Sequence, residues 1–128
     1  MLDDHLPAEI EAVFQTMPAA QAAALLAVRS LILSEAAALK AGPVSEALKW
    51  GQPSYSVAKG TPIRLGLSKG RTALFVHCQT SIIEPARELF GGVAEFEGSR
   101  ALILGGDPRA TTYVIRAALT YKQPGKRV

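Results

Sequence analysis

The 128-residue, 13.5 kDa chain is 48% apolar and 20% charged with a net charge of +3, the make-up of one soluble globular domain. A chain of this size buries roughly two-thirds of the surface its unfolded state exposes, so one core suffices without metal or disulfide. The single cysteine, Cys78, excludes an internal disulfide and fits a reducing compartment.

The chain opens with Asp3 and Asp4, either of which suits the cap of a first helix, and Pro7 suits its first turn. With Asp3, Asp4 and Glu9 the first residues show no cationic-then-apolar signal pattern, so secretion is not expected. Ile10, Val13 and Phe14 fall on one stripe, and Met17-Pro18 ends the helix. Residues 19–39 read as a long core helix, with Leu25, Val28, Ile32, Ala36 and Leu39 on one face. Gln21, Arg29, Ser30, Ser34 and Glu35 interrupt its apolar run, which argues against a membrane span. The expected location is therefore the cytoplasm. Gly42-Pro43 closes the helix, with Gly42 as the left-handed residue. Residues 44–49 read as a short third helix capped by Ser45, broken by Gly51.

Beyond Pro53 the period changes from helical to alternating. Residues 55–58, 63–67 and 72–78 read as three strands of a meander, with turns at Lys59-Gly60 and Ser68-Lys69-Gly70. In the third of these, Leu74, Val76 and Cys78 share one face and Ala73, Phe75 and His77 the other. Residues 81–90 return to helical spacing and stop at Gly91-Gly92. Residues 93–97 and 100–104 form a hairpin about Gly98-Ser99, with Glu95 and Glu97 toward water. Asp107-Pro108 is the cap and first residue of a last helix, whose stripe of Tyr113, Ala117 and Tyr121 has Val114 and Ala118 beside it and is widened by Ile115 and Leu119. Residues 122–128 are a basic tail that need not be ordered. The order ααα-βββ-α-ββ-α predicts one α+β domain over residues 1–128. It is a two-layer sandwich with a five-stranded, mainly antiparallel sheet and helices on one face.

Charge divides along the same line. Residues 1–48 carry −4 and residues 49–128 carry +7, and between Lys49 and Arg71 there are five bases and no acid. Lys49, Lys59, Arg64, Lys69 and Arg71, with Trp50, Tyr55 and Phe75 nearby, suggest single-stranded nucleic acid as an alternative partner, by charge and stacking. Solvated turn charges are the blander account of the same residues.

The run Glu46-Ala47-Leu48-Lys49-Trp50-Gly51-Gln52-Pro53-Ser54-Tyr55 resembles the signature of the YdhG-like bacterial proteins, a domain family of unknown function. Thr61-Pro62-Ile63-Arg64-Leu65-Gly66 and Ala73-Leu74-Phe75-Val76-His77-Cys78-Gln79-Thr80 look like one branch of that family. The resemblance implies a frataxin-like fold and brings with it a proposed role in iron delivery, but no catalytic residues. Frataxin-type iron binding uses an acidic ridge on the first helix and first strand. Here the first helix offers Asp3, Asp4, Glu9 and Glu11, and the first three predicted strands carry no acid.

No phosphate-binding glycine loop or paired metal motif occurs in the sequence, and no catalytic residue, metal site or cofactor is expected. Trp50 has two readings: an aromatic plug between helix and sheet, or a recognition residue. His77 reads as a surface or structural histidine, or as part of a pocket with Arg64 and Phe75. Cys78, on the opposite face of the strand, reads as a buried, inert thiol. Gly105-Gly106-Asp107 reads as a turn, since the Asp107 carboxylate would repel an anion at the helix start. The candidate site is Trp50, Gln52, Tyr55, Arg64, Phe75 and His77, on a binding or accessory domain. Its expected partner is a small molecule or protein, without a membrane, and the chain is a monomer or homodimer.

Overall fold

The structure, a computed structural model, describes residues 6–123. The proposed caps Asp3 and Asp4 and most of the tail lie outside that range. Two helices come first. The first, α1 (Ala8–Gln15), starts after Pro7, whose carbonyl accepts the Ile10 and Glu11 N–H groups. The second, α2 (Ala19–Ala38), buries Leu25, Val28, Ile32 and Ala36 of the predicted stripe, together with Arg29, while Leu39 caps the helix and is half-buried. By length and composition α2 could also cross a membrane; in this fold its stripe lies on the sheet. Lys40, not Gly42, supplies the first left-handed residue after α2: its φ is 53°. The Lys40 N–H bonds to Ala37 O at 3.1 Å and the Ala41 N–H to Ala36 O at 2.9 Å, the two bonds of a Schellman end.

The sheet follows, built of β1 (Ser45–Lys49), β2 (Gln52–Ser56), β3 (Ile63–Ser68), β4 (Arg71–Phe75), β5 (Glu95–Glu97) and β6 (Ala101–Ile103). Its order is β1-β2-β3-β4-β6-β5, antiparallel throughout. The predicted third helix is thus a strand, and the sheet has six strands rather than five. Glu46, Ala47, Leu48 and Lys49 all favour helix locally, but five cross-strand pairs from Ser45↔Ser56 to Lys49↔Gln52 override that weak preference. Since Lys49 and Gln52 flank a two-residue turn, they form a hydrogen-bonded pair, and Pro53 then directs its missing N–H toward β3. The β2–β3 ladder is correspondingly short, Ser54↔Arg64 and Tyr55↔Ile63.

The fourth strand stops at Phe75 instead of Cys78. Val76 adds one bond, from its N–H to Arg100 O at 2.7 Å, and the chain then turns, with the Thr80 N–H on His77 O. Alternation no longer operates past that point, so Cys78 is exposed rather than buried. Helix α3 (Ile83–Phe90) starts two residues later than expected, and α4 (Pro108–Leu119) begins as predicted, with Asp107 Oδ1 accepting the Arg109 N–H at 2.9 Å. The buried face of α4 is Ala110, Val114, Ile115, Ala118 and Leu119; the last four belong to the predicted arc, whose Tyr113–Ala117–Tyr121 line lies one step round from it.

The main core lies between the helices and one face of the sheet. Ile10, Leu25, Ile32 and Ile115 meet Tyr55, Leu65, Leu74 and Leu102 there. Among the described residues no helix covers the other face, which carries its own small cluster of Ala73, Phe75, Ala101 and Ile103. An α+β two-layer sandwich with helices on one side is the architecture.

Candidate functional site

The β1–β2 hairpin turns on Trp50 and Gly51, with φ of 56° and 74°. A two-residue hairpin loop whose central residues are both left-handed matches the right-handed twist of the strands, and Asn-Gly is its usual sequence. Glycine adopts that conformation freely; a side chain with a β-carbon does so at a cost of about 1–2 kcal/mol. Trp50 nevertheless occupies the first position and is 90% exposed. It plugs no junction.

From this tip the register runs across the helix-free face. Ser54 lies opposite Arg64, Arg64 opposite Phe75, and Phe75 opposite Ala101. The Arg64 guanidinium carbon sits 5.7 Å from the centre of the Phe75 ring, and Nη1 donates to Gln52 Oε1 at 2.8 Å. Gln52 can lie in this position because residue 66 is glycine: a β-carbon there would come within 2.4 Å of Gln52 Nε2. Three of the six candidate residues therefore join in one arrangement, Gln52–Arg64–Phe75. Burial, and then the charge of Arg100, pull the Arg64 pKa down.

Toward the other side of this face, polar side chains bridge over the small cluster. Ser68 Oγ donates to Glu97 Oε1 at 2.5 Å, joining β3 to β5 across two intervening strands. The Lys69 ammonium lies 4.0 Å from the same carboxylate, and Arg71 pairs with Glu95. Phe75 is left only 7% exposed. This side of the face is thus a surface of side chains that satisfy one another, with an apolar layer beneath it.

Tyr55 and His77 stand apart from it. Tyr55 points to the helix side, fully buried, where its hydroxyl donates to Glu46 Oε2 at 2.6 Å. Arg29 closes on the same carboxylate from α2. Sequence reasoning missed this buried triad because residues 44–49 read as helix; once they form a strand, Glu46 falls opposite Tyr55. His77 lies beyond the end of β4, exposed, with Nδ1 accepting the Gln79 N–H at 3.1 Å. With Tyr55 on the wrong face and Phe75 under Arg64, Trp50 is the one ring of those three that offers a stacking surface.

A separate groove of about 650 Å³ opens on the helix layer, lined by Leu39, Phe90 and Tyr113 with Arg109 and Arg116 at its rim. Periodicity placed Tyr113 in the core stripe, so this groove was not anticipated. Both arginines already hold carboxylates, Asp107 and Glu35. Among the described residues no group of three or more His, Cys, Asp or Glu side chains gathers to hold a metal. Glu9 and Glu11 are exposed on α1, while Asp3 and Asp4, named for iron, lie outside the described residues. Compared with protein-family models, curated proteins and solved structures, the chain matches none.

Proposed function

We propose that this chain is a small cytoplasmic binding or accessory domain of the YdhG-like kind, without catalysis of its own. Its capture surface is the helix-free sheet face and the hairpin tip beside it. The observation that carries this reading is Trp50. It makes almost no use of its bulk within the fold, at 90% exposed, and it holds a backbone conformation that a bulky side chain disfavours. Backbone strain of this sort clusters at functional sites. Beside it, Gln52 and Arg64 supply oriented polar groups above Phe75, the combination of one large anchor and a few fixed polar groups that recognition surfaces use.

The test exploits the turn itself. Trp50→Asn gives the hairpin its preferred Asn-Gly sequence, so the variant should be as stable as the native chain or more so. Affinity capture from a cytosolic extract, run with both proteins, should retain a partner on the native chain and lose it on the variant. Equal capture by both removes the reading, and because the variant is folded, loss of capture cannot be put down to unfolding. Trp50 is also the sole tryptophan, so a blue shift of its emission on adding the retained partner reports docking at the tip directly.

A further inference from the structure

Helix α4 carries two apolar lines. One, Val114, Ile115, Ala118 and Leu119, lies in the core; the other, Tyr113 and Ala117, is half-buried and lines the groove of about 650 Å³ on the helix layer. Leu39 from the end of α2 and Phe90 from the end of α3 line it too, and the Phe90 and Tyr113 rings meet edge to face, their centres 5.8 Å apart. Charge bounds this floor. Arg109 and Arg116 also line the groove, seven residues apart on α4 and so about 10 Å apart along the helix. Their carboxylates are recessed: Glu35 is 13% exposed against 55% for Arg116, and Asp107 is likewise the more covered member of its pair. An incoming ligand therefore meets guanidinium rather than carboxylate. Arg109 gives both Nε and Nη2 to Asp107, but Arg116 gives only Nε to Glu35, at 2.5 Å, and neither of its Nη groups has a partner among the described residues. The Tyr113 hydroxyl has none there either, and since no polar side-chain atom is buried without a partner, it reaches solvent.

We propose that this groove is a second binding site, separate from Trp50 and the helix-free face, and that its ligand is a small carboxylic acid with an apolar body. An apolar cavity of this size with a few converging polar groups is the usual form of a small-molecule site. A floor about 10 Å long between two arginines suits such a molecule, and is too short for a helix of several turns. The two Nη groups of Arg116 form an open edge of a planar fork, which can donate one N–H bond to each oxygen of a carboxylate. Glu35 holds the guanidinium by its other edge, so less side-chain freedom is lost when the ligand arrives. Because Glu35 already balances the charge of Arg116, a monoanion suits the open edge better than a dianion. The ligand body then covers Tyr113, Ala117, Leu39 and Phe90, apolar surface that the core leaves half in water.

Calorimetric titration of the full chain with octanoate, 3-phenylpropanoate and octylammonium, near neutral pH and at constant ionic strength, tests this. One saturable site is expected for an acid, and the tighter of the two identifies the body as alkyl or aryl. Octylammonium, an alkyl body with the opposite charge, should bind at least about ten-fold more weakly than the preferred acid. Arg116→Gln should weaken that acid by about ten-fold or more, whereas Arg87→Gln, an equal loss of charge on α3 outside the groove, should leave it within about two-fold. Ala117→Phe fills the groove and should abolish binding. Arg116 and Ala117 both lie off the buried face of α4, so the two variants should keep the native thermal unfolding. No saturable binding of either acid, equal binding of octylammonium, an equal loss in Arg87→Gln, or full binding by Ala117→Phe overturns the site. A dimer in sedimentation equilibrium that Ala117→Phe dissociates, with no acid bound, assigns the groove to a second copy and overturns the small-ligand assignment. Partner capture through Trp50 should be the same in Arg116→Gln, so the failure of this site and the failure of the proposed function are separate results.

Discussion

Arg29 and Glu46 close a two-pronged ion pair under the sheet, Nε to Oε2 at 2.6 Å and Nη2 to Oε1 at 3.0 Å. It fastens the middle of α2 to β1, an edge strand, and Tyr55 from β2 donates to the same carboxylate. Arg29 is 4% exposed, so its charge has left water and depends on this partner.

Removing one member should therefore cost far more than removing both. Arg29→Met leaves Glu46 charged beneath the sheet and is expected to destabilise by about 3–5 kcal/mol. The double variant Arg29→Met, Glu46→Gln keeps an acceptor for Tyr55 and should regain much of that loss. Urea denaturation of the two single variants and the double completes the cycle, and simple additivity would contradict it.

Burial, and then the hydrogen bond to Glu46, push the Tyr55 phenol far above its ordinary value near 10. The folded chain thus keeps a proton that the unfolded chain releases, so stability is full below about pH 10 and falls as pH rises above it. Tyr55→Phe should lose about 1.5–3 kcal/mol at neutral pH, the worth of a hydrogen bond to a charged acceptor. Its alkaline decline should also be shallower by the contribution of one proton. Unfolding curves on either side of pH 10 measure both effects, and parallel declines in the two proteins would refute the assignment.

Gly66→Ala probes the outer face without touching the core. The new methyl displaces the end of the Gln52 side chain, which is flexible, so the strand itself need not move. Better strand propensity, worth about 0.5–1 kcal/mol, offsets a lost hydrogen bond of about 0.5–1.5 kcal/mol, so stability should barely change. The Gln52 side-chain amide resonances should shift markedly in NMR spectra. A large loss of stability instead would mean that Gly66 serves the backbone rather than Gln52.

Cys78 lies outside the core on a turn after β4. A thiol reagent should label it stoichiometrically in the folded chain, at a rate close to that in denaturant. Protection in the native state, as expected of a buried thiol, would contradict this placement.

Much of this arrangement was legible in the residues. The α2 stripe, the capped start of α4 and the alternation from Ile63 to Val76 are local patterns, and each led to the right element. The candidate site was legible in part: Gln52, Arg64 and Phe75 meet, because strand parity sets which side chains share a face. Tyr55 was misplaced because its parity is set by pairing with β1, and β1 read as a helix. Trp50 was open to two readings because a left-handed turn cannot be inferred from Lys-Trp-Gly-Gln alone.

What the sequence determined by itself was therefore the α+β class, the helix faces and the core strands, since periodicity is written into neighbouring residues. The tertiary structure decided whether residues 45–49 would be strand or helix, because their intrinsic preferences are small and pairing with residues 52–56 outweighs them. That decision placed Glu46 under the sheet against Arg29 and Tyr55, and it put Trp50 at the tip of a hairpin, in water, beside the face where Arg64 lies over Phe75.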